Sequence, residues 1–241
     1  MRSAGVLMPI TSLPSPWGIG TLGRSAREFL DFLAESGQTY WQLLPIGPTG
    51  YGDSPYQPFS SYAGNPYLID LDDLAKAGLL LPEEYQGIQW GTNPARVDYG
   101  LLYQKRFQVL KKAVDRLWAN NKQAVQCFWK GVQFLFFEQW ERLKSLAEAK
   151  GISIIGDIPI YVAEDSSDVW AHPDQFQMDA DLHPTRVAGC PPDGFSADGQ
   201  LWGNPLFNWE QMRADGYHWW LHRISFQFRF YDVLRIDHFR G

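Results

Sequence analysis

Hydrophobic positions fall along this chain in two rhythms. Short apolar runs bounded by Gly or Pro stand at "GVLMPI" (5–10), "TYWQLLPI" (39–46) and "ISIIGDIPI" (152–160). Runs of that length predict strands, and continuous rather than alternating ones fit a parallel sheet covered on both faces. The last run, "VLRIDHFRG" (233–241), does alternate: Leu234 and Ile236 are interleaved with Arg235 and Asp237. That pattern predicts a fourth strand within "YDVLRIDHF" and puts the charged pair on one face of it. Opposite charges beside a histidine, His238, make either a surface ladder or a site.

The second rhythm is helical. In "RSAREFLDFLAESG" the residues Ala26, Phe29, Leu30 and Leu33 make one face, Ser25 and Glu28 have capping-box spacing, and Gly37 suits the stop. From about 72 to 150 the period continues, with Tyr103, Phe107, Leu110, Val114 and Leu117 on one face and Phe128, Val132, Phe136 and Leu143 on another. Tyr217, Trp220, Leu221, Ile224 and Phe228 predict one more helix before the last strand. Residues 47–68 and 171–208 show no period and read as long loops after strands two and three, where function tends to reside. Four strand–helix units in this order predict an α/β chain, the first half of a (β/α)8 barrel. Its parts are expected at 1–71 (barrel start), 72–150 (a helical insertion between strands two and three) and 151–241 (barrel continued). No internal repeat appears.

Composition narrows the chemistry. With 45% hydrophobic and 20% charged residues, 241 residues suffice for a sizeable core. A net charge of -6 without a Lys/Arg cluster argues against nucleic-acid or anionic-membrane partners. No apolar stretch approaches the roughly 18 residues of a membrane helix, and "MRSAGVLMPITSLP" lacks a secretory apolar core, so a cytoplasmic protein is expected. Two cysteines without CxxC spacing, Cys127 and Cys190, read as free buried thiols. Aromatic residues are abundant at 15%, and most must be core.

Two motifs carry little. "GIGTLG" (18–23) matches a dinucleotide fingerprint but stands beyond two prolines from the strand, and Gln42 occupies the place of the ribose-binding acid. His218 and His222 have zinc-ligand spacing, yet "HWWLH" lacks a metalloprotease Glu, so two surface histidines are expected. The carboxylates say more. Asp157 in "GDIPI" and Asp237 in "RIDHF" both stand at the C-terminal end of a predicted strand, where barrel enzymes do chemistry. Arg235 on the same face would orient Asp237 and favour its charged form, as a nucleophile requires. The loops "TGYGDSPYQ" and "DGFSADGQLWGNP" combine Tyr51, Tyr56, Phe195 and Trp202 with Asp53, Ser54 and Asp193. Flat rings with polar rims suit a sugar, although each ring by itself is as well explained as a loop anchor.

The stretches "MPITSLPSPWGIGTLG", "YWQLLPIGPTGYGDSPYQPFSSYAGNPYLIDL", "GDIPIYVAEDSSDVW", "PPDGFSADGQLWGNP" and "LRIDHFRG" resemble the amylomaltases, the 4-α-glucanotransferases of glycoside hydrolase family 77. The resemblance runs from end to end. It implies a retaining transferase acting on α-1,4-glucans in an α-amylase-type barrel, without cofactor or metal. By motif it makes Asp237 the nucleophile, Arg235 its partner, Asp157 and His238 contacts to the reacting sugar, and Ser54 and Tyr56 part of the donor site. Phe195 and Trp202 would belong to a loop over the acceptor side, where relatives often carry a bulkier residue than Gly194. The family's acid/base Glu and third carboxylate lie on later strands, so the chain is expected to be an N-terminal portion that associates with a complementary half or with itself. An α-amylase-like hydrolase and an inactive glucan-binding fragment are the rival readings.

Overall fold

The computed structural model describes residues 2–50, 52–119, 128–192, 194 and 196–239. The chain divides into two compact units, Met1–Leu44 with Gly64–Ile155 and Pro45–Ala63 with Gly156–Gly241. In the first, β1 (Gly5–Leu7), α1 (Arg24–Glu35), β2 (Tyr40–Gln42), α2 (Leu71–Lys76), α3 (Tyr99–Ala119) and α4 (Phe128–Ala149) lead into β3 (Ser153–Pro159). The strands are parallel neighbours in chain order, Val6 opposite Trp41 and Trp41 opposite Ile154. Strand, helix, strand with that order is the opening of the barrel. The strands are shorter than their apolar runs; a 3-10 turn at Ile10–Ser12, for example, consumes the end of the first.

Ala26, Leu30 and Leu33 of α1 are fully buried, and Gly37 takes the left-handed turn after the helix with φ +69. The expected capping box does not form. Gly23 is the N-cap; Ser25 Oγ instead donates to Pro14 O at 2.6 Å, and Glu28 pairs with Arg24. Gly23 is required there because a Cβ would lie 2.0 Å from the Asp70 carboxylate. The other two glycines of "GIGTLG" follow the same logic: a Cβ on Gly18 or Gly20 would meet the carbonyls of Trp90 or Ile10 at 2.5 and 1.8 Å. The motif thus serves close backbone packing.

The inner face of α3 is Leu102, Arg106, Val109, Leu110, Ala113 and Val114, turned from the expected one, and Tyr103 is 71% exposed. Its ring flanks Phe107, which in turn meets Phe128 and Trp129 edge-on. These rings satisfy one another along the helix edge, which imitates a core stripe in the sequence.

The second unit contains the loop 45–63, the end of β3, α5 (Ser167–Ala171), β4 (Val187–Cys190), β5 (Gln200–Pro205), α6 (Trp209–Ala214), α7 (His218–Gln227) and β6 (Val233–Asp237). β6 is the neighbour of β3. The stretch 171–208, expected to be irregular, holds the antiparallel β4–β5 hairpin, whose register shifts between Val187 and Gly189. Phe207 centres this unit's core, with rings of Tyr161, Phe176, Trp209, Trp219 and Trp220 around it. On α7 the buried residues are Trp219, Trp220, Arg223 and Gln227, so the expected face is again displaced and Leu221 is exposed.

Gly156, next to Asp157, is pressed against Tyr231: an added Cβ would lie 2.1 Å from that ring, which is itself buried. Gly156→Ala is therefore expected to cost about 1–3 kcal/mol or more through overpacking, read as a fall in the denaturant midpoint. An unchanged midpoint would mean that Tyr231 moves aside freely.

Candidate active site

Asp157 lies within β3, buried with 1% of its surface exposed, two residues before the strand ends at Pro159. Both of its oxygens are engaged. Arg235 Nη1 donates to Oδ1 at 2.6 Å and the Tyr56 hydroxyl donates to Oδ2 at 2.9 Å. The other arm of the same guanidinium, Nη2, donates to Asp237 Oδ1 at 2.5 Å. One rigid fork thus spans two carboxylates from neighbouring strands, which fixes both in position. Asp237 lies at the last position of β6, its side chain about a third exposed, while Ile236 packs inward against the second unit's core. Strand alternation is what separates the two: the apolar neighbour anchors the strand and the acid faces the opening.

Charge follows from this geometry. Burial, the largest influence, lifts Asp157 above the ordinary carboxylate range, and Asp237 adds to that, against the hydrogen bonds from Tyr56 and Arg235. Burial pulls Arg235 down, but the two carboxylates more than reverse this and hold it above its usual value. The Tyr56 phenol is raised, first by burial and then by its bond to Asp157, so it remains a donor across neutral pH.

Beside this triad opens a cleft of 270 Å³ lined by Ser54, Tyr56, Gln57, Pro159, Ile160, Tyr161, Gln200, Trp202, Asn204, Asp237 and His238. The loop that brings Tyr56 turns through two left-handed residues, Gly52 and Asp53, and Ser54 Oγ accepts from the Tyr56 amide at 3.3 Å. Gln57 ties that loop to the hairpin by donating to the Trp202 carbonyl at 3.0 Å. His238 follows β6 with φ +51, an uncommon conformation for a side chain of its size, and meets the Trp202 ring edge-on at 4.7 Å. Tyr161 stacks on Phe207 and faces Trp202 at 6.4 Å. Three rings, a histidine, amides and one carboxylate around a single opening make a surface suited to a polyhydroxylated ligand with apolar faces.

The structure brings together Asp237, Arg235, His238, Asp157, Ser54, Tyr56 and Trp202 from the expected set. Asp53 holds the turn beneath Tyr56 and is not part of the cleft wall. Tyr51, Asp193 and Phe195 lie outside the described residues, as does Cys127; Cys190 is a free, half-buried thiol. His222 Nδ1 contacts the Tyr62 hydroxyl at 3.1 Å, and no cluster of metal-ligating side chains occurs among the described residues. Sequence reasoning passed over Tyr161, while Gln57, Gln200 and Asn204 belong to the two loops it read as carrying polar rims. Tyr161 stands two residues past β3, and the strand-end rule that selected Asp157 would have found it.

The 4-alpha-glucanotransferase family model matches residues 8–130 and 117–241. The 4-alpha-glucanotransferases of Thermus thermophilus and Streptococcus pneumoniae are 43% and 42% identical over all of this chain. The chain spans 59% of the length of each. The structure of the amylomaltase from Streptococcus agalactiae in complex with acarbose superposes with a TM-score of 0.92 at 40% identity, over 100% of this chain and 60% of that one. The alignment with the S. pneumoniae protein runs over 296 positions against 241 residues here, so at least 55 positions have no counterpart in this chain. The two matched segments meet at 117–130, next to the exposed Trp129 and Phe134 of α4. No helix among the described residues is long and apolar enough to cross a membrane.

Proposed function

The chain belongs to the 4-alpha-glucanotransferase family of glycoside hydrolase type 77, and on that premise we propose that it carries the nucleophile side of a retaining transfer between α-1,4-glucans. The observation that supports this best is the single Arg235 fork holding Asp157 and Asp237 at the rim of an aromatic cleft. Asp237 attacks the anomeric carbon of a glucan; the bond to the departing glucan breaks, and its oxygen takes a proton from a general acid. A 4-hydroxyl of a second glucan then displaces Asp237, returning its proton to the same group. Asp157 is too fully engaged to be that nucleophile and serves the reacting sugar through Tyr56 and Arg235. His238, Ser54 and Trp202 line the sugar's seat.

The direct test is calorimetric titration of the chain with maltoheptaose and with acarbose. Binding at the cleft is expected, with Trp202 fluorescence reporting it; absence of binding to both would remove the reading. Tyr56 discriminates further. Tyr56→Ala is expected to weaken maltoheptaose binding by about 1 kcal/mol or more, whereas Tyr56→Phe loses only the bond to Asp157. If instead the melting temperature collapsed with affinity unchanged, the ring would be a loop anchor. A transferase is separated from a hydrolase by products: fed maltotriose, the former yields longer oligomers along with glucose.

A further inference from the structure

We propose that Arg223 on α7 is a positioning residue for this glucan site: it holds the strand-end carbonyls of Pro159 and Ile160, and with them the cleft wall and Asp157. The inference rests on the functional reading above. Arg223 is 1% exposed and does not line the cleft; with Asp157 and Pro159 it borders a separate small cavity. Its Nη2 donates to Pro159 O at 2.7 Å and its Nη1 to Ile160 O at 3.0 Å. The guanidinium lies 5.3 and 5.0 Å over the rings of Trp219 and Trp220, which themselves belong to the unit's core. Those two carbonyls follow Asp157 by two and three residues, and their side chains line the cleft.

The same helix grips the opposite wall. Gln227 Nε2 donates to Ser61 O at 2.7 Å, and the Ser61 amide donates to Asp168 Oδ2 at 2.9 Å. Ser61 closes the loop that carries Ser54 and Tyr56. Asp168, buried at 2% exposure, is the anion that acts on Arg223, and no direct ion pair joins them. A buried cation with that little compensation is costly, and a hydrophobic residue of its size would pack more cheaply. What an aliphatic residue cannot do is fix two successive carbonyls at a strand end. Lysine, with one point of donation, cannot reproduce the fork either.

The molecule supplies its own control. Arg106 on α3 is equally buried, donates to Tyr67 O and Ile69 O at 2.8 and 2.5 Å, and lies 5.4 Å over Trp90, yet its carbonyls border no part of the cleft. Arg223→Met, Arg223→Lys and Arg106→Met would be compared for melting temperature, maltoheptaose affinity and amide exchange over residues 160–163. The expected result is that both Met variants lose stability, because each leaves two buried carbonyls without a donor and this outweighs the cheaper packing, that Arg106→Met keeps its affinity within twofold, and that Arg223→Met loses tenfold or more. Arg223→Lys, the variant expected to fold without difficulty, loses severalfold. Wild-type affinity in Arg223→Lys, or equal losses in Arg223→Met and Arg106→Met, would overturn the proposal. Should the parent chain bind no maltoheptaose, the functional reading fails and exchange decides the positioning role: faster exchange over 160–163 in the Arg223 variants alone supports it, and equal rates in all variants reject it.

Discussion

With Asp237 as the nucleophile proposed above, Asp237→Asn is expected to leave the fold intact and to lower glucan transfer by several orders of magnitude. The reasoning is chemical before it is structural. A carboxamide cannot form the glycosyl ester, so the double displacement loses its intermediate, and residual rate comes only from binding and electrostatics. The fold is spared because Asp237 holds no core position: about a third of its side chain is exposed, and Arg235 keeps its 2.6 Å bond to the buried Asp157. Catalysis is best measured on this chain joined to the part of the Streptococcus agalactiae amylomaltase that it does not cover. Maltotriose turnover within tenfold of the parent would take the nucleophile's role away from Asp237. Asp157→Asn makes the complementary case: the carboxamide keeps a single acceptor oxygen, so one of Tyr56 and Arg235 loses its partner and the guanidinium loses the charge, which should weaken sugar binding as well as turnover.

Much of the site was legible because the physics that builds it is local. Strand alternation put Arg235 and Asp237 on one face, and the structure joins them at 2.5 Å. The strand-end rule selected Asp157 and Asp237 independently, and one arginine binds both. Tyr56 reached the site from 101 positions away in sequence, and it was found through its glycine-rich aromatic loop rather than through any period.

What stayed hidden depended on tertiary exceptions to the apolar pattern. Arg106 and Arg223 are cations at the centre of buried faces, so a reading that assigns charge to solvent turns α3 and α7 about their axes by one position. The capping box at Ser25 failed because the Gly23 backbone must approach Asp70, a contact between residues 47 apart. The β4–β5 hairpin escaped because its strands carry Gly189 and Gly203 where alternation would be read, and its register shifts once. In each case the local signal was sound and a long-range contact outweighed it.

The carboxylates of the cleft also decide what this chain does by itself with maltotriose: no disproportionation is expected. Retention needs a second carboxyl group about 5 Å from the nucleophile to protonate the leaving oxygen. Among the described residues Asp237 is the acid on the cleft wall. Asp157 has the raised proton affinity that burial gives, as an acid should, but both of its oxygens accept hydrogen bonds, one of them from a guanidinium. Protonating it would cost that ion pair, which binds Asp237 in place. Without an acid, departure of an unprotonated oxygen typically slows the step by about 10² to 10⁴. Adding the portion of the S. agalactiae amylomaltase that this chain does not cover is expected to restore turnover by bringing a carboxyl group to Asp237. The measurement is oligosaccharide profiling with and without that portion, on mass-verified protein. Turnover by a monodisperse 241-residue monomer would defeat the expectation and send the search for an acid to Asp53, Glu164 and Asp165. Of these Asp53 would come first, since burial already raises its proton affinity and it sits one residue from Ser54 on the cleft wall.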